Sequence, residues 1–340
     1  MTRASAATSP PARALAASSN APIARAEAAA WTAPPHPFKS AGKPRRIGVE
    51  IEFGGVDADQ AADAVREIFG GRIARRSDWR VDVEGGPWGD FRCELDVKFA
   101  HRETRGETPR RLRDAAAAVG ATVLPMEITC PPLALVDAPR LDALSAALAA
   151  QGAFGTGGGP LYAFGLQLNP ELPSLAPADI LATLRAYLTL GPWLRARLDV
   201  DLSRRLWSFE AAFPDEFRDL VLDPLFAPDQ AALIDAYLRA NPSRNRELDL
   251  LPLLAHLDES RVRAALPAET IKPRPTWHWR LPDCRLDEPG WSISAVWARW
   301  AAVERLAADP ERLAHAARIA RDTPGSDALL ALGDALCDPT

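Results

Sequence analysis

The sequence predicts an α+β fold. Segments that alternate with period two fall between about residues 45 and 170. Segments with helical periodicity dominate from about residue 177 onward, and one late stretch, "RPTWHWRL", returns to the strand pattern. Strands and helices in separate blocks argue for a largely antiparallel sheet with its own helical block, and against a regular βαβ repeat. The 340 residues, 47% hydrophobic and 25% charged, supply a sizeable core without disulfide or metal staples.

Residues 1–44 are rich in Ala, Pro, Ser and Arg, with Glu27 the one acid. Such a segment buries little apolar surface and is expected as a disordered tail. Its Arg-rich, acid-poor balance is also that of an organelle transit peptide; the flexible tail is the reading adopted. One domain over 45–340 follows. "RRIGVEIEF" reads as a strand. Asp57 or Asp59 caps a helix through about Phe69, with Ala61, Ala62, Val65 and Phe69 on one face and Gly70-Gly71 ending it. "WRVDVEGG" and "FRCELDVKF" alternate around the turn "GGPWGD", which predicts a hairpin. "TPRRLRDAAAAVG" is a helix, and "ATVLPMEITCPPL" a strand closed by Pro131-Pro132. A helix over 138–151 and the loop "GTGGGP" lead to the strand "LYAFGLQLNP". "ADILATLRAYLTLGPWLRARL" and "PDQAALIDAYLRANP" are helices, and further helices are expected at about 292–307, 309–320 and 325–336.

Composition excludes several classes of function. Forty basic against 45 acidic residues leave a net charge of −5, with no surplus for a nucleic-acid backbone. No apolar run reaches the roughly 18 residues a membrane span needs. Cys93, Cys130, Cys284 and Cys337 are scattered without a CxxC pair. That argues against a zinc cluster or a disulfide framework and fits a reducing cytoplasm.

The strands carry the chemistry. Residues two apart on a strand share a face, so Glu50 and Glu52 project together while Val49, Ile51 and Phe53 point into the core. Two neighbouring carboxylates repel unless something positive lies between them. On an open face solvent screens them; on a concave face a hard divalent cation is the natural counter-charge. The pattern recurs. "CELDVKF" sets Glu94 and Asp96 two apart, "PMEITCPPL" holds Glu127, "FGLQLNPEL" sets Gln167 and Asn169 together, and "PTWHWRL" aligns Thr276, His278 and Arg280 opposite Trp277 and Trp279. Five such strands point to one shared polar floor.

Taken in order, "GVEIEF", "ELDVKF", "EITCPPL", "YAFGLQLNPEL", "NPSRNRELDLLPLLAHLD" and "IKPRPTWHWRLPDCRLDEPGWSISAVW" resemble the amidoligase family. Its members are relatives of glutamate–cysteine ligase and glutamine synthetase in the carboxylate–amine ligase superfamily. The resemblance covers roughly 45–306 and rests on the combination of motifs, because G-x-E-x-E-F alone is weak. It implies a curved antiparallel sheet of the glutamine-synthetase and glutamate–cysteine-ligase type, with helices packed outside. The implied reaction is ATP-dependent amide formation from a small-molecule or peptide carboxylate and an amine, through an acyl phosphate. ATP and Mg²⁺ or Mn²⁺ are the implied cofactors.

Glu50, Glu52, Asp96, Glu127 and Gln167 match the family's metal-binding positions, with Glu94 a weaker candidate. Arg246 and Arg280 match arginines that contact phosphate or carboxylate, and Arg244, Asn169 and His278 complete the expected substrate-binding set. Two departures stand out. Gln167 occupies a position that usually holds His, and His278 one that often holds Glu, and together they remove an imidazole and a negative charge from one metal position. A non-catalytic nucleotide- or metabolite-binding relative and a metal-dependent amide hydrolase therefore stay open beside the ligase. Arg244 and Arg246 could instead cap a helix or pair with Glu247 and Asp249. The tryptophans Trp277, Trp279, Trp291, Trp297 and Trp300 are expected in the core rather than as an adenine platform, and "GTGGGP" lacks the Gly-Lys-Ser/Thr of a phosphate loop.

Overall fold

The structure, a computed structural model, describes residues 31–96, 125–157, 164–200 and 211–338. The expected helix in 108–120 and most of the expected tail lie outside these residues. Among the described residues seven strands make one open antiparallel sheet: β1 (Arg46–Phe53), β2 (Arg72–Ser77), β3 (Arg80–Gly86), β4 (Gly89–Leu95), β5 (Met126–Thr129), β6 (Leu133–Ala134) and β7 (Leu166–Pro170). β2, β3, β4, β5 and β1 are neighbours in that order. β6 pairs with the start of β1, and β7 also pairs with β1. β5 and β6 follow one another along β1 on either side of Pro131-Pro132, as expected where proline cannot donate to the ladder.

Strand alternation sorts the side chains. Ile47, Val49, Ile51 and Phe53 of β1 are fully buried, as are Val81, Cys93, Ile128, Leu166 and Leu168 on the neighbouring strands. Helix α1 (Ala58–Phe69) lies over β2, β3 and β4 and buries Ala61, Ala62, Val65 and Phe69. Asp57 caps it, accepting from the amides of Asp59 at 3.0 Å and Gln60 at 2.9 Å, while the Gln60 side chain accepts from the Asp57 amide at 3.0 Å. This reciprocal cap contributes about 1 kcal/mol.

The later helices are α2 (Arg140–Ala150), α3 (Pro177–Leu198), α4 (Asp215–Leu222), α5 (Gln230–Ala240), α6 (Leu251–Leu257), α7 (Glu259–Ala265), α8 (Ile293–Ala307), α9 (Pro310–Asp322) and α10 (Asp327–Cys337). α8, α9 and α10 pack on α3. Trp277, Trp279, Trp297 and Trp300 are buried among them, as core residues. Strand β2 and helices α4, α6 and α7 go beyond the expected elements. "RPTWHWRL" is extended but makes only isolated bridges.

Residues 31–44, assigned to the tail by composition, lie against the domain. Trp31 stacks on Trp297 at 4.9 Å, and the Trp297 indole donates to the Thr32 carbonyl at 2.7 Å. Lys39 adds an ion pair to Glu171 at 2.9 Å and Ser40 hydrogen bonds to the Pro173 carbonyl, and composition misses this because the anchoring is done by a few residues whose partners are remote in sequence. Beside it, buried Arg45 donates to both carboxylate oxygens of Glu304 in α8, at 2.8 and 2.6 Å, and to the Glu171 carbonyl at 2.6 Å. That pair joins the entrance of β1 to the helical layer. No described helix is long and apolar enough to cross a membrane.

Candidate active site on the polar face of the sheet

Register decides which acids meet. Glu52 on β1 stands opposite Glu127 on β5, and Glu127 stands opposite Glu94 on β4. Asp96 lies just past β4, where its amide donates to the Pro125 carbonyl at 2.9 Å and sets it beside the start of β5. One carboxylate oxygen each from Glu52, Asp96 and Glu127 lie within 4.8 Å of one another. Asp96 and Glu127 are only 8% and 6% exposed. The Thr129 hydroxyl donates to Glu127 at 2.9 Å, and the Gly165 amide donates to Glu52 at 2.8 Å. These donors orient the two carboxylates.

The cluster fits a hard divalent cation. Metal–oxygen bonds of about 2.0–2.6 Å place ligand oxygens on opposite sides of an ion roughly 4–5 Å apart, and all three donors are carboxylates. Three segments of chain each supply one.

Glu50 lies one pleat along β1, opposite Thr129 and Gln167. Gln167 Nε2 donates to Glu50 at 3.0 Å and to Asn169 Oδ1 at 2.8 Å, and Asn169 Nδ2 donates to Glu50 at 3.3 Å. Gln167 therefore meets Glu50 through its nitrogen, and Glu50 stands beside the three-acid cluster.

The floor continues past β7. Leu168 and Trp279 exchange backbone hydrogen bonds of 3.0 and 2.9 Å. That register sets Arg280 next to Gln167 and His278 next to Asn169, about two strand spacings, roughly 10 Å, from β1. Leu248 pairs with Trp279 in turn; the Arg280 amide donates to the Glu247 carbonyl at 2.9 Å, and the Asp249 amide to the His278 carbonyl at 2.9 Å.

Three expected anion-binding residues separate here. Arg280 Nη2 and Arg244 Nε both reach Asp249 Oδ2, at 3.0 and 3.1 Å. Arg246 turns away, its Nε donating at 2.7 Å to Asn241, the residue that ends α5. His278 is buried, and its pKa is pushed down to about 3 by burial and by Arg280, Arg244 and Arg274, so the ring is neutral at physiological pH. Burial raises the Glu247 carboxyl, an effect that bidentate contact with Arg195 at 3.0 and 2.6 Å only partly offsets.

Asp249 was expected only as a salt-bridge partner, although it lies two residues from Glu247 in "RELDLLP". Gly165 and Thr129 escape sequence reasoning because one acts through its backbone and the other through strand register. None of the curated proteins compared matches the chain. A family model described as "putative amidoligase enzyme" matches residues 43–302, most of the chain, and the chain belongs to that family.

Proposed function

We propose that the protein is an ATP-dependent carboxylate–amine ligase that forms an amide bond through an acyl phosphate. Family membership supports a ligase. The observation that carries the finer reading is the carboxylate cluster of Glu52, Asp96 and Glu127, on a floor that also bears Arg280. Phosphoryl transfer to a carboxylate is mostly positioning and charge neutralisation, and it needs hard-metal ligands together with cationic groups. A divalent cation bound at the cluster would neutralise nucleotide phosphate charge.

The chain's own residues would do the rest. Glu52, Asp96 and Glu127 would hold Mg²⁺ or Mn²⁺, with Glu50 alongside. Arg280 and Arg244, whose planar guanidinium groups suit tetrahedral and planar oxyanions alike, would hold phosphate or the substrate carboxylate. The substrate carboxylate would attack the γ-phosphorus and release ADP. The amine would then displace phosphate and lose a proton. The curved sheet of the glutamine-synthetase type and a cytoplasmic location belong to the same proposal. Neutral His278, and Gln167 hydrogen-bonded through its side-chain nitrogen to Glu50, favour a second reading, a relative that binds nucleotide without turnover.

The test is ADP release over pools of carboxylates and amines. Release that requires one acid and one amine together supports the ligase. Mg²⁺–ATP binding with no ADP release from any pool favours the second reading, and ATP-independent amide cleavage sinks both.

A further inference from the structure

Asp249 joins two of the proposed anion-binding residues. It is completely buried, at 0% exposure, in the segment bridged to Trp279. Its Oδ2 accepts from Arg244 Nε at 3.1 Å and from Arg280 Nη2 at 3.0 Å. Its Oδ1 accepts from the Leu251 amide at 3.0 Å, at the start of α6, and its own amide donates to the His278 carbonyl. The carboxylate is thus fixed by backbone on one side and offers its other oxygen to two guanidiniums. Both remain accessible, their side chains 36% and 21% exposed for Arg244 and Arg280. Arg274 also acts on His278 from close by, and His278 itself is neutral.

A single buried carboxylate between two like charges has a specific consequence. Without Asp249 the two arginines repel, Arg244 keeps its Nη1 bond to the Thr270 carbonyl at 3.2 Å, and binding an anion must then order the two relative to one another. Held by Asp249, each is pre-ordered before the ligand arrives. We propose that Asp249 is the positioning residue that holds Arg244 and Arg280 as a preorganised pair for one oxyanion, phosphate or carboxylate. The inference rests on the proposed anion-binding role of these arginines, and it adds a residue that touches no substrate.

The proposal makes a prediction with the opposite sign to simple electrostatics. Asp249→Asn removes one negative charge beside the arginines. If Asp249 only tempered local positive charge, the variant would bind anions more tightly. A positioning residue requires weaker binding. Tripolyphosphate and glutarate are titrated calorimetrically, in MgCl₂, into wild type, Asp249→Asn, Arg280→Gln and the double variant; the probe that responds identifies which oxyanion the pair serves. The expected result is at least a tenfold loss for Asp249→Asn and no further loss when it is added to Arg280→Gln. Equal or tighter binding by Asp249→Asn, while Arg280→Gln loses binding, overturns the positioning role and leaves the anion site standing. Wild type binding neither probe overturns both.

A second measurement does not depend on the variant folding. In nitrogen-labelled wild type without ligand, the Arg244 Nε–H signal is expected to be resolved and slow to exchange. A signal averaged like that of a free arginine, ordered only after anion is added, overturns the proposal. None of these outcomes depends on whether ADP release is seen, so the ligase reading stands or falls separately.

Discussion

Glu127→Gln changes one atom type in the three-acid cluster and keeps the shape of the side chain. The amide oxygen can still accept from Thr129, whose hydroxyl lies 2.9 Å from Glu127 Oε1. What changes is charge. The three carboxylate oxygens lie within 4.8 Å of one another, so each pair repels by about 1 kcal/mol with full water screening and about 3.5 kcal/mol at an effective permittivity of ~20. Neutralising Glu127 removes two of the three repulsions. The Gly165 amide on Glu52 and the Thr129 hydroxyl already offset part of the repulsion, so the expected gain in metal-free stability is near the lower limit, about 1–2 kcal/mol. At about 2–4 °C per kcal/mol that is a melting point raised by ~2–8 °C.

Metal reverses the order. At one hundred times its dissociation constant, Mn²⁺ stabilises a protein by about 2.7 kcal/mol, and a tenfold weaker site loses about 1.4 kcal/mol of that. Wild type should therefore gain more from Mn²⁺ than Glu127→Gln does, in thermal melts with and without the ion. A variant that melts lower than wild type without metal and gains the same shift with it would refute the reasoning. A Glu127 that is merely solvated would change neither quantity by more than about 0.5 kcal/mol.

Glu304→Ala should destabilise by about 3–5 kcal/mol, since it strands buried Arg45 without its carboxylate; urea denaturation measures this, and a loss below 1 kcal/mol would show that Arg45 is resolvated. Gly333→Ala should cost at least 1–3 kcal/mol, because a Cβ there would lie 2.3 Å from the Trp193 ring, backbone to indole between α10 and α3; near wild-type melting would mean that the two helices separate easily. His278 is held neutral, with its pKa lowered from 6.5 to about 3. The unfolded chain takes up that proton first, so His278 should cost stability as pH falls from about 6.5 toward 3 and nothing above 6.5. Stability against pH for wild type and His278→Gln should diverge only in that window, and parallel curves would refute it. Cys93, Cys130 and Cys284 have thiols raised by burial, Cys93 to about 12, so an aromatic disulfide reagent should modify them only on unfolding.

Much of the fold was legible because its causes are local. The alternation in "GVEIEF", the cap at Asp57, the stop at Gly70 and the turn between β3 and β4 are written within a few residues of where they act. The sharing of one face by Glu50 and Glu52, and by Gln167 and Asn169, follows from the pleat alone. What no single strand could state was register between strands. Glu52 meets Glu127 because β1 and β5 run antiparallel with those residues opposite, and a slip of one residue would turn every acid into the core. Register and local loop contacts together sorted residues that looked equivalent in sequence. Glu50 went to Gln167 and Asn169, Glu52 to Asp96 and Glu127, Arg280 and Arg244 to Asp249, and Arg246 to Asn241. The neutrality of His278 was likewise decided by tertiary structure, since burial is its main cause and Arg244 joins Arg280 beside it from another segment of the chain. The sequence by itself determined which residue types each strand offers to the polar face. Only the packing of separate chain segments decided which of them stand close enough to share an ion or an anion, because hydrogen-bond pairing between strands that are not neighbours in sequence, Glu52 with Glu127 for one, sets those distances.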